Sequence, residues 1–583
     1  MPHISAAARR GSDMKRRTAW ILVAGVAAVS IGAAAVGAVA YVLRQSGGAP
    51  ALSGNSCVTL DVEGDIPEAP PQEFGALFER RPPSLKTLVE GLDRAAKDPK
   101  VSSVLLRVGL LDGAGWGKVQ ELRDAVQRFR KSGKPVYAHI EYCGNREYYL
   151  ATAADKIYAI PTAIVNVSGL AVEVMFFRGT LDKLGVEAQF EGVGKYKNAP
   201  NTFTERSFTA AHREQMEALV DGLYGQYRAA IAKARGMSEE QAQRVVDGGP
   251  YDGAGAKAAG LVDEVLYHDQ IQERVKGATR VAAARYARGS RGLGFDTRPK
   301  LALIYAVGEI VPGESRSGGL SGESAGSDTV SQAIRDARED DTYKAIILRV
   351  DSPGGFGPSA DVIRREVQLA RKQKPVVVSM GDYAASGGYY VSIGSDAIVA
   401  QPATITGSIG VFSGKFSVRR LYDKLGITKE TIRRGRYSDL FTEYRPWNED
   451  ERRKIHDQNV AFYQDFVQKV AEGRGKSWEE INEVAQGRVW TGEEALEHGL
   501  VDRLGGLDAA VSVAREKAKL GTQEVALVML PERKGFLETV WERQQEEDVE
   551  AAVPRELRAL LRWARAVTGD GPIARLPFDL RVR

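Results

Sequence analysis

Ala345-Ile346-Ile347-Leu348-Arg349-Val350-Asp351-Ser352-Pro353-Gly354-Gly355 decides the fold. Its first six residues form an apolar run with a single arginine, as expected of a strand buried in a sheet, and Pro and Gly then break the run. The stretch has an earlier copy. Val104-Leu105-Leu106-Arg107-Val108 matches Ile346-Ile347-Leu348-Arg349-Val350 at an offset of 242, and Lys134-Pro135-Val136 matches Lys374-Pro375-Val376 at 240. Asp182-Lys183-Leu184-Gly185-Val186 matches Asp423-Lys424-Leu425-Gly426-Ile427 at 241. Tyr148-Tyr149 and Asp155 recur as Tyr389-Tyr390 and Asp396, and Gly260-Leu261-Val262-Asp263 recurs as Gly499-Leu500-Val501-Asp502. Conserved order and spacing over so long a stretch mark a tandem duplication.

Within each copy, helix-period stretches alternate with short β-branched runs such as Pro375 to Ser379 and Asp396 to Ala400. That alternation predicts an α/β fold with largely parallel strands. In the second copy, helices are expected over Val330 to Arg338 and Ser359 to Arg371, with strands at 345–350 and leading into Ser386. Gly313 to Asp328 reads as a loop, and Tyr286 to Lys300 as the link between copies. The repeat is expected to end near Leu520. Beyond it, Leu557, Leu560, Leu561, Ala564 and Val567 follow Pro554 at helical spacing.

At 583 residues the chain exceeds what one core supports. Eighty Lys and Arg against 76 Asp and Glu give a net charge of +4, with no basic stripe of the kind nucleic acid binding requires. The two cysteines, Cys57 and Cys143, have no metal-ligand spacing and imply no disulfide framework, and Asn55-Ser56 before Cys57 is not a lipid-attachment pattern. Residues 18–43 carry no charge and would span about 39 Å as a helix, enough to cross a bilayer core of about 30 Å. Arg9, Arg10, Lys15, Arg16 and Arg17 precede this span and Arg44 follows it, which puts the N-terminus in the cytoplasm. A retained anchor is expected rather than a cleaved signal peptide, whose apolar core is shorter.

The chemistry centres on Met380-Gly381-Asp382-Tyr383-Ala384-Ala385-Ser386-Gly387-Gly388-Tyr389-Tyr390, which sets a serine among small residues just after an apolar run. With the Gly354-Gly355 loop it suggests acyl transfer. A serine nucleophile needs a base. His3, His139, His212, His268, His456 and His498 all sit in unconvincing contexts, and Ser386 lacks the G-x-S-x-G elbow. The duplication offers a different candidate. Asn145 stands in the first copy where Ser386 stands in the second, and aligning Gly194-Lys195-Tyr196-Lys197 with Gly435-Arg436-Tyr437-Ser438 sets Lys197 opposite Ser438. Each copy thus carries one member of a Ser/Lys pair and lacks the other. A lysine base must be neutral, which burial away from carboxylates favours. Spacing alone leaves Lys195 and Lys197 both open.

Taken together, Asp351-Ser352-Pro353-Gly354-Gly355, Tyr383-Ala384-Ala385-Ser386-Gly387-Gly388-Tyr389, Thr406-Gly407-Ser408-Ile409-Gly410 and Gly194-Lys195-Tyr196-Lys197 resemble the signal peptide peptidase A family in its long, tandem-domain form. Members are membrane-anchored Ser/Lys proteases of the Clp/crotonase-like fold. The resemblance implies Ser386 as nucleophile, Lys197 rather than Lys195 as general base, and Ser408 as the residue that orients the lysine. It assigns the Gly355 and Gly387 N–H groups to the oxyanion hole. It further implies peptide substrates such as cleaved signal peptides, a homo-tetramer, no metal or cofactor, and a single-pass protein of the bacterial inner membrane with extracytoplasmic catalytic domains. The expected divisions are a cytoplasmic segment 1–17, the bilayer span 18–43, a linker 44–57, a lysine-bearing domain 58–290, a serine-bearing domain 291–525 and a helical tail 526–583. Three departures stand out: Asp351 where many relatives have asparagine, Asn145 at the first-copy serine position, and Gly109-Leu110-Leu111-Asp112-Gly113 in place of the Pro-Gly-Gly loop. The competing readings are a crotonase-fold enzyme acting on acyl-CoA and a non-catalytic membrane scaffold.

Overall fold

The computed structural model describes residues 54–69, 82–275, 279–288, 296–316, 323–531 and the backbone of 573–575. The bilayer span expected at 18–43 and the helix expected after Pro554 lie outside the described residues. Among the described residues, no helix is long and apolar enough to cross a membrane.

Two α/β units follow one another, each built on a mainly parallel sheet. The first sheet orders Glu264–Val265, Lys156–Val165, Val136–Cys143, Val101–Val108, Ser56–Val62 and Thr279–Ala282, all in parallel register. The second orders Val489–Thr491, Ile405–Gly407, Val376–Ala385, Tyr343–Ser352, Lys300–Val307 and Ala526–Leu530, with Ala397–Ala400 and Arg503–Leu504 branching from Val376–Ala385. The expected helices of the second copy are seen at Ser327–Glu339 and Gly357–Arg371.

The repeated residues recur because they make the same bonds twice. Asp155 accepts the Val136 N–H at 2.8 Å, and Asp396 accepts the Val376 N–H at 2.8 Å, each fixing the start of a strand. The Tyr148 hydroxyl donates to the Leu261 carbonyl and that of Tyr389 to the Leu500 carbonyl, at 2.6 and 2.9 Å. Gly185 and Gly426 end equivalent short helices at φ of 80° and 72°, a left-handed turn that glycine enters without strain.

Three segments differ from the sequence reading. Ala526–Leu530 is a strand, parallel to Lys300–Val307 as Thr279–Ala282 is to Ser56–Val62, so the repeat continues past Leu520 and the tail does not begin as a helix. Its residues Ala526-Leu527-Val528-Met529-Leu530 form a continuous apolar run. The expected loop 313–328 contains the strand Ser324–Gly326 and the start of a helix, and the expected link from Tyr286 begins inside the helix Ala283–Arg288.

A third sheet joins the copies. Glu187–Val193 of the first runs antiparallel to Val411–Ser417 of the second, from Val411 opposite Val193 to Ser417 opposite Glu187. The apolar core of the first copy also takes in Ala385, Ala403, Ile405 and Val489 from the second. Contacts of this kind bury apolar surface at about 25 cal/mol per Å², so the halves are one packed body rather than beads on a linker.

Candidate active site

Ser386 follows directly on the strand Val376–Ala385 and caps the helix Gly387–Ser392. Its backbone has φ of 56° and ψ of −113°, a conformation that costs a non-glycine residue of order 1–3 kcal/mol and that clusters at active sites. The Ser386 N–H donates to the Gly407 carbonyl at 2.7 Å, and its carbonyl accepts the Tyr390 N–H at 2.8 Å, so the strain is held by bonds on both sides. The serine thus sits at a strand-to-helix turn although the G-x-S-x-G pattern is absent. Here Gly387 and Gly388 lie after the serine, and Gly388 is needed because a Cβ there would sit 2.7 Å from the Ser352 carbonyl oxygen.

The inter-copy strand pair delivers the lysine. Because Val193 lies opposite Val411, the chain leaving the first copy at Gly194 arrives beside Ser408, Ile409 and Gly410. It is fastened there by the Tyr196 N–H, which donates to the Gln486 carbonyl at 2.7 Å. Lys197 is 6% exposed, and its Nζ lies 2.7 Å from Ser386 Oγ, 3.1 Å from Ser408 Oγ and 3.1 Å from the Ser408 carbonyl oxygen. Burial holds its amine well below the usual lysine range, and among the described residues no carboxylate pairs with it.

Lys195, the alternative left open by spacing, points away. Its Nζ reaches Glu214 at 3.4 Å and the Tyr196 hydroxyl at 2.8 Å, and these partners raise its pKa. Among the described residues, neither Ser386 nor Lys197 hydrogen-bonds a histidine. Asn145, at the equivalent first-copy position, spends its side chain on its own loop, donating to the Gly169 carbonyl and accepting the Ser168 N–H. Ser438, opposite Lys197 in the alignment, is exposed and donates to the Gly435 carbonyl.

Two groups of small residues make the site possible. A Cβ on Gly355 would meet the Ile310 carbonyl oxygen at 2.1 Å, so only glycine lets this loop lie against the Ile310 strand. The Gly387 N–H opens a helix and has no intrahelical acceptor. Gly487, at φ of 75°, lies so close to Lys197 that a Cβ would be 2.6 to 2.7 Å from its N, Cα and Cβ atoms. The turn at Gln486 and Gly487 that seats the lysine was not anticipated. Its signal in the sequence was Gln486-Gly487 ending a helical stretch, an ordinary turn motif until the partner copy is docked on it.

Comparison with known proteins matches both copies. The family model described as peptidase family S49 matches residues 128–282 and 368–521, two segments offset by the repeat. The chain is 36% identical to "Serine protease SPPA, chloroplastic" of Arabidopsis thaliana over 492 residues, covering 82% of this chain and 71% of that protein. It is 34% identical to "Protease 4" of Salmonella typhi over 489 residues, covering 79% of this chain and 78% of that one. "Protease 4" of Haemophilus influenzae matches at 29% over 456 residues, covering 74% and 72%. With both copies matched and most of each relative covered, the chain belongs to peptidase family S49, the serine endopeptidases of the signal peptide peptidase A kind.

Proposed function

We propose that the peptidase works through a Ser386/Lys197 dyad assembled from both copies. The observation that carries the reading is the 2.7 Å approach of a buried amine, stripped of carboxylate neighbours, to a strained serine. A neutral Lys197 accepts the Ser386 hydroxyl proton while Oγ attacks the peptide carbonyl, and its two N–H groups are directed to the Ser408 carbonyl and hydroxyl oxygens. The tetrahedral oxyanion is received by the Gly355 and Gly387 N–H groups. The ammonium then protonates the leaving amine, which departs and leaves an acyl-Ser386 ester. Water, deprotonated by the same lysine, attacks the ester, and the ammonium returns the proton to Ser386 Oγ as the acid leaves.

Peptides are read as binding in extended form, by strand addition. In support, Ile573–Arg575 lies antiparallel to Gly354–Phe356, with Gly355 opposite Ala574, and Ile573 also faces Phe412. The same loop can thus hydrogen-bond a substrate main chain beside the serine. The Clp/crotonase-like assignment of both copies, the lysine-bearing domain 58–290 and the serine-bearing domain 291–525 belong to this reading, with Ala526–Leu530 added to the latter. So do the anchor at 18–43, extracytoplasmic catalytic domains, the homo-tetramer and cleaved signal peptides as substrates, all inherited from the family resemblance. The acyl-CoA alternative would need no serine nucleophile, and the peptidase family match disfavours it.

Hydrolysis of an apolar peptidyl aminomethylcoumarin by the wild type, Ser386→Ala, Lys197→Ala and Lys195→Ala tests the dyad. The first two variants should lose at least about a thousandfold in kcat, whereas Lys195→Ala stays within about twofold. Near-normal turnover by Lys197→Ala between pH 7 and 8 would refute the assignment.

A further inference from the structure

The carboxylate of Asp351 lies three residues before Gly354, on the loop assigned to the oxyanion hole, where an uncompensated negative charge would oppose the reaction. It is compensated from the other copy. Asp351 Oδ2 lies 3.0 Å from Lys118 Nζ, with the two side chains 8% and 10% exposed. Its Oδ1 accepts the Tyr383 N–H at 3.0 Å, and its own carbonyl accepts the Gly308 N–H at 2.9 Å.

Tyr383 is where the two central strands fall out of step. Val350 pairs with Met380, but Ser352 pairs with Ala384, so Gly381, Asp382 and Tyr383 oppose the single residue Asp351. This bulge fixes how far Ser386, three residues past Tyr383, stands from Gly355, four residues past Asp351. Such irregularities re-aim side chains next to active sites. The bulge is clamped from both sides. Asp382 accepts the Gly115 and Lys118 N–H groups at 2.7 Å each, capping the helix Trp116–Arg130, whose own N-cap is a glycine. Lys118, in the first turn of that helix, is thereby aimed at Asp351 and lies 3.7 Å from Asp382 Oδ2. Gly381 has no room for a Cβ, which would lie 2.9 Å from that of Asp351.

We propose that Lys118 and Asp351 are a cross-copy positioning pair: the first copy lends the site a second lysine, which neutralises Asp351 and so lets its carboxylate hold the bulge that sets Ser386 against the oxyanion loop. The inference rests on Ser386 and Gly355 having the roles assigned above. Neither Lys118 nor Asp351 touches substrate in this scheme; both act through the backbone of the bulge at Tyr383.

The test measures kcat and KM separately on an apolar peptidyl aminomethylcoumarin, per folded molecule, with the thermal midpoint recorded for each variant. Lys118→Met should lower kcat at least thirtyfold with KM within threefold of wild type. Asp351→Asn keeps an oxygen for the Tyr383 N–H and needs no cation, so it should stay within fivefold; Lys118→Met/Asp351→Asn should return to that level, because Asp382 keeps the backbone N–H groups of Gly115 and of residue 118 as donors. Glu121→Gln is the structural control, because Glu121 pairs with buried Arg349 across the same interface without touching the bulge. It should lower the midpoint and leave kcat within twofold. The proposal is overturned if Lys118→Met keeps kcat within threefold, or if the double variant is no better than Lys118→Met. Should Lys118→Met not fold, Asp351→Ala against Asp351→Asn decides: loss of the acceptor must cost at least thirtyfold in kcat, and equal rates sink the idea. Ser386→Ala in the same series separates the two readings, since its retained activity would discredit the serine assignment itself.

Discussion

Replacing Lys197 with methionine tests whether the proposed base is neutral in the folded protein. Methionine keeps most of the volume of the buried side chain and removes the amine. At pH 8 a lysine with an unfolded pKa of about 10.4 gives up about 3 kcal/mol to become neutral. Against this stand the three contacts of Nζ with Ser386 Oγ and with the Ser408 hydroxyl and carbonyl oxygens. At roughly 1 kcal/mol each they come to about the same amount, so the two proteins should be of similar stability near pH 8. The informative quantity is the slope. Burial lowers the pKa of Lys197 in the folded state, so between that lowered value and about 10.4 the unfolded chain binds a proton that the folded one does not. Stability of the wild type therefore rises with pH in this window, by about 1.4 kcal/mol per unit, while Lys197→Met lacks the effect. A Lys197 that is neutral throughout pH 7.5 to 9.5 in the folded protein would make the wild type gain about 2.7 kcal/mol relative to the variant. That is a change of roughly 5–10 °C in the difference between their melting midpoints for a cooperative unit of 150–250 residues. Other titrating groups are common to both proteins and cancel. Calorimetric or fluorescence melts across this range suffice. A midpoint difference that stays constant means that the amine carries the same charge folded and unfolded, and the argument for Lys197 as base collapses.

Three further outcomes are expected. Ser408→Ala removes one of the amine's acceptors but leaves the Ser408 carbonyl, so kcat should fall about tenfold with KM little changed; a change under twofold would deny Ser408 its orienting role. Gly487→Ala forces a Cβ against the Lys197 backbone at a positive φ, and should cost at least a hundredfold in kcat while the serine side of the site is untouched; wild-type turnover would show that the lysine loop is not held by this turn. Gly355→Ala would drive its Cβ into the Ile310 carbonyl and should abolish hydrolysis with a fall of several degrees in the melting midpoint, which a soluble, fully active variant would contradict.

What could be read from the residues was what the duplication repeats. Asp155 and Asp396, Tyr148 and Tyr389, and Gly185 and Gly426 occupy matching places because each makes a local bond or turn that both copies need, so self-comparison exposes them. Ser386, Asn145, Lys197 and Ser438 were legible for the opposite reason, as matched positions where the copies disagree. What stayed hidden depends on docking one copy against the other. Spacing could not separate Lys195 from Lys197, because their difference is that one faces Glu214 and solvent while the other is enclosed by Ser408, Gly410 and Gly487. Lys118 looked like any charged residue in the first turn of a helix, and the partner that explains it, Asp351, is more than 200 positions away. The strained turn at Ser386 has no local sequence signature beyond its small neighbours.

The antiparallel pairing of Glu187–Val193 with Val411–Ser417 has a consequence for how such an enzyme is made. Chains emerge N-terminus first, so Lys197 is synthesised and its copy can fold long before Ser386 exists. A half-made or half-folded molecule owns a base with nothing to activate, or a serine that cannot be deprotonated. On the proposed dyad, the active centre is complete only once the two copies have docked along this strand pair.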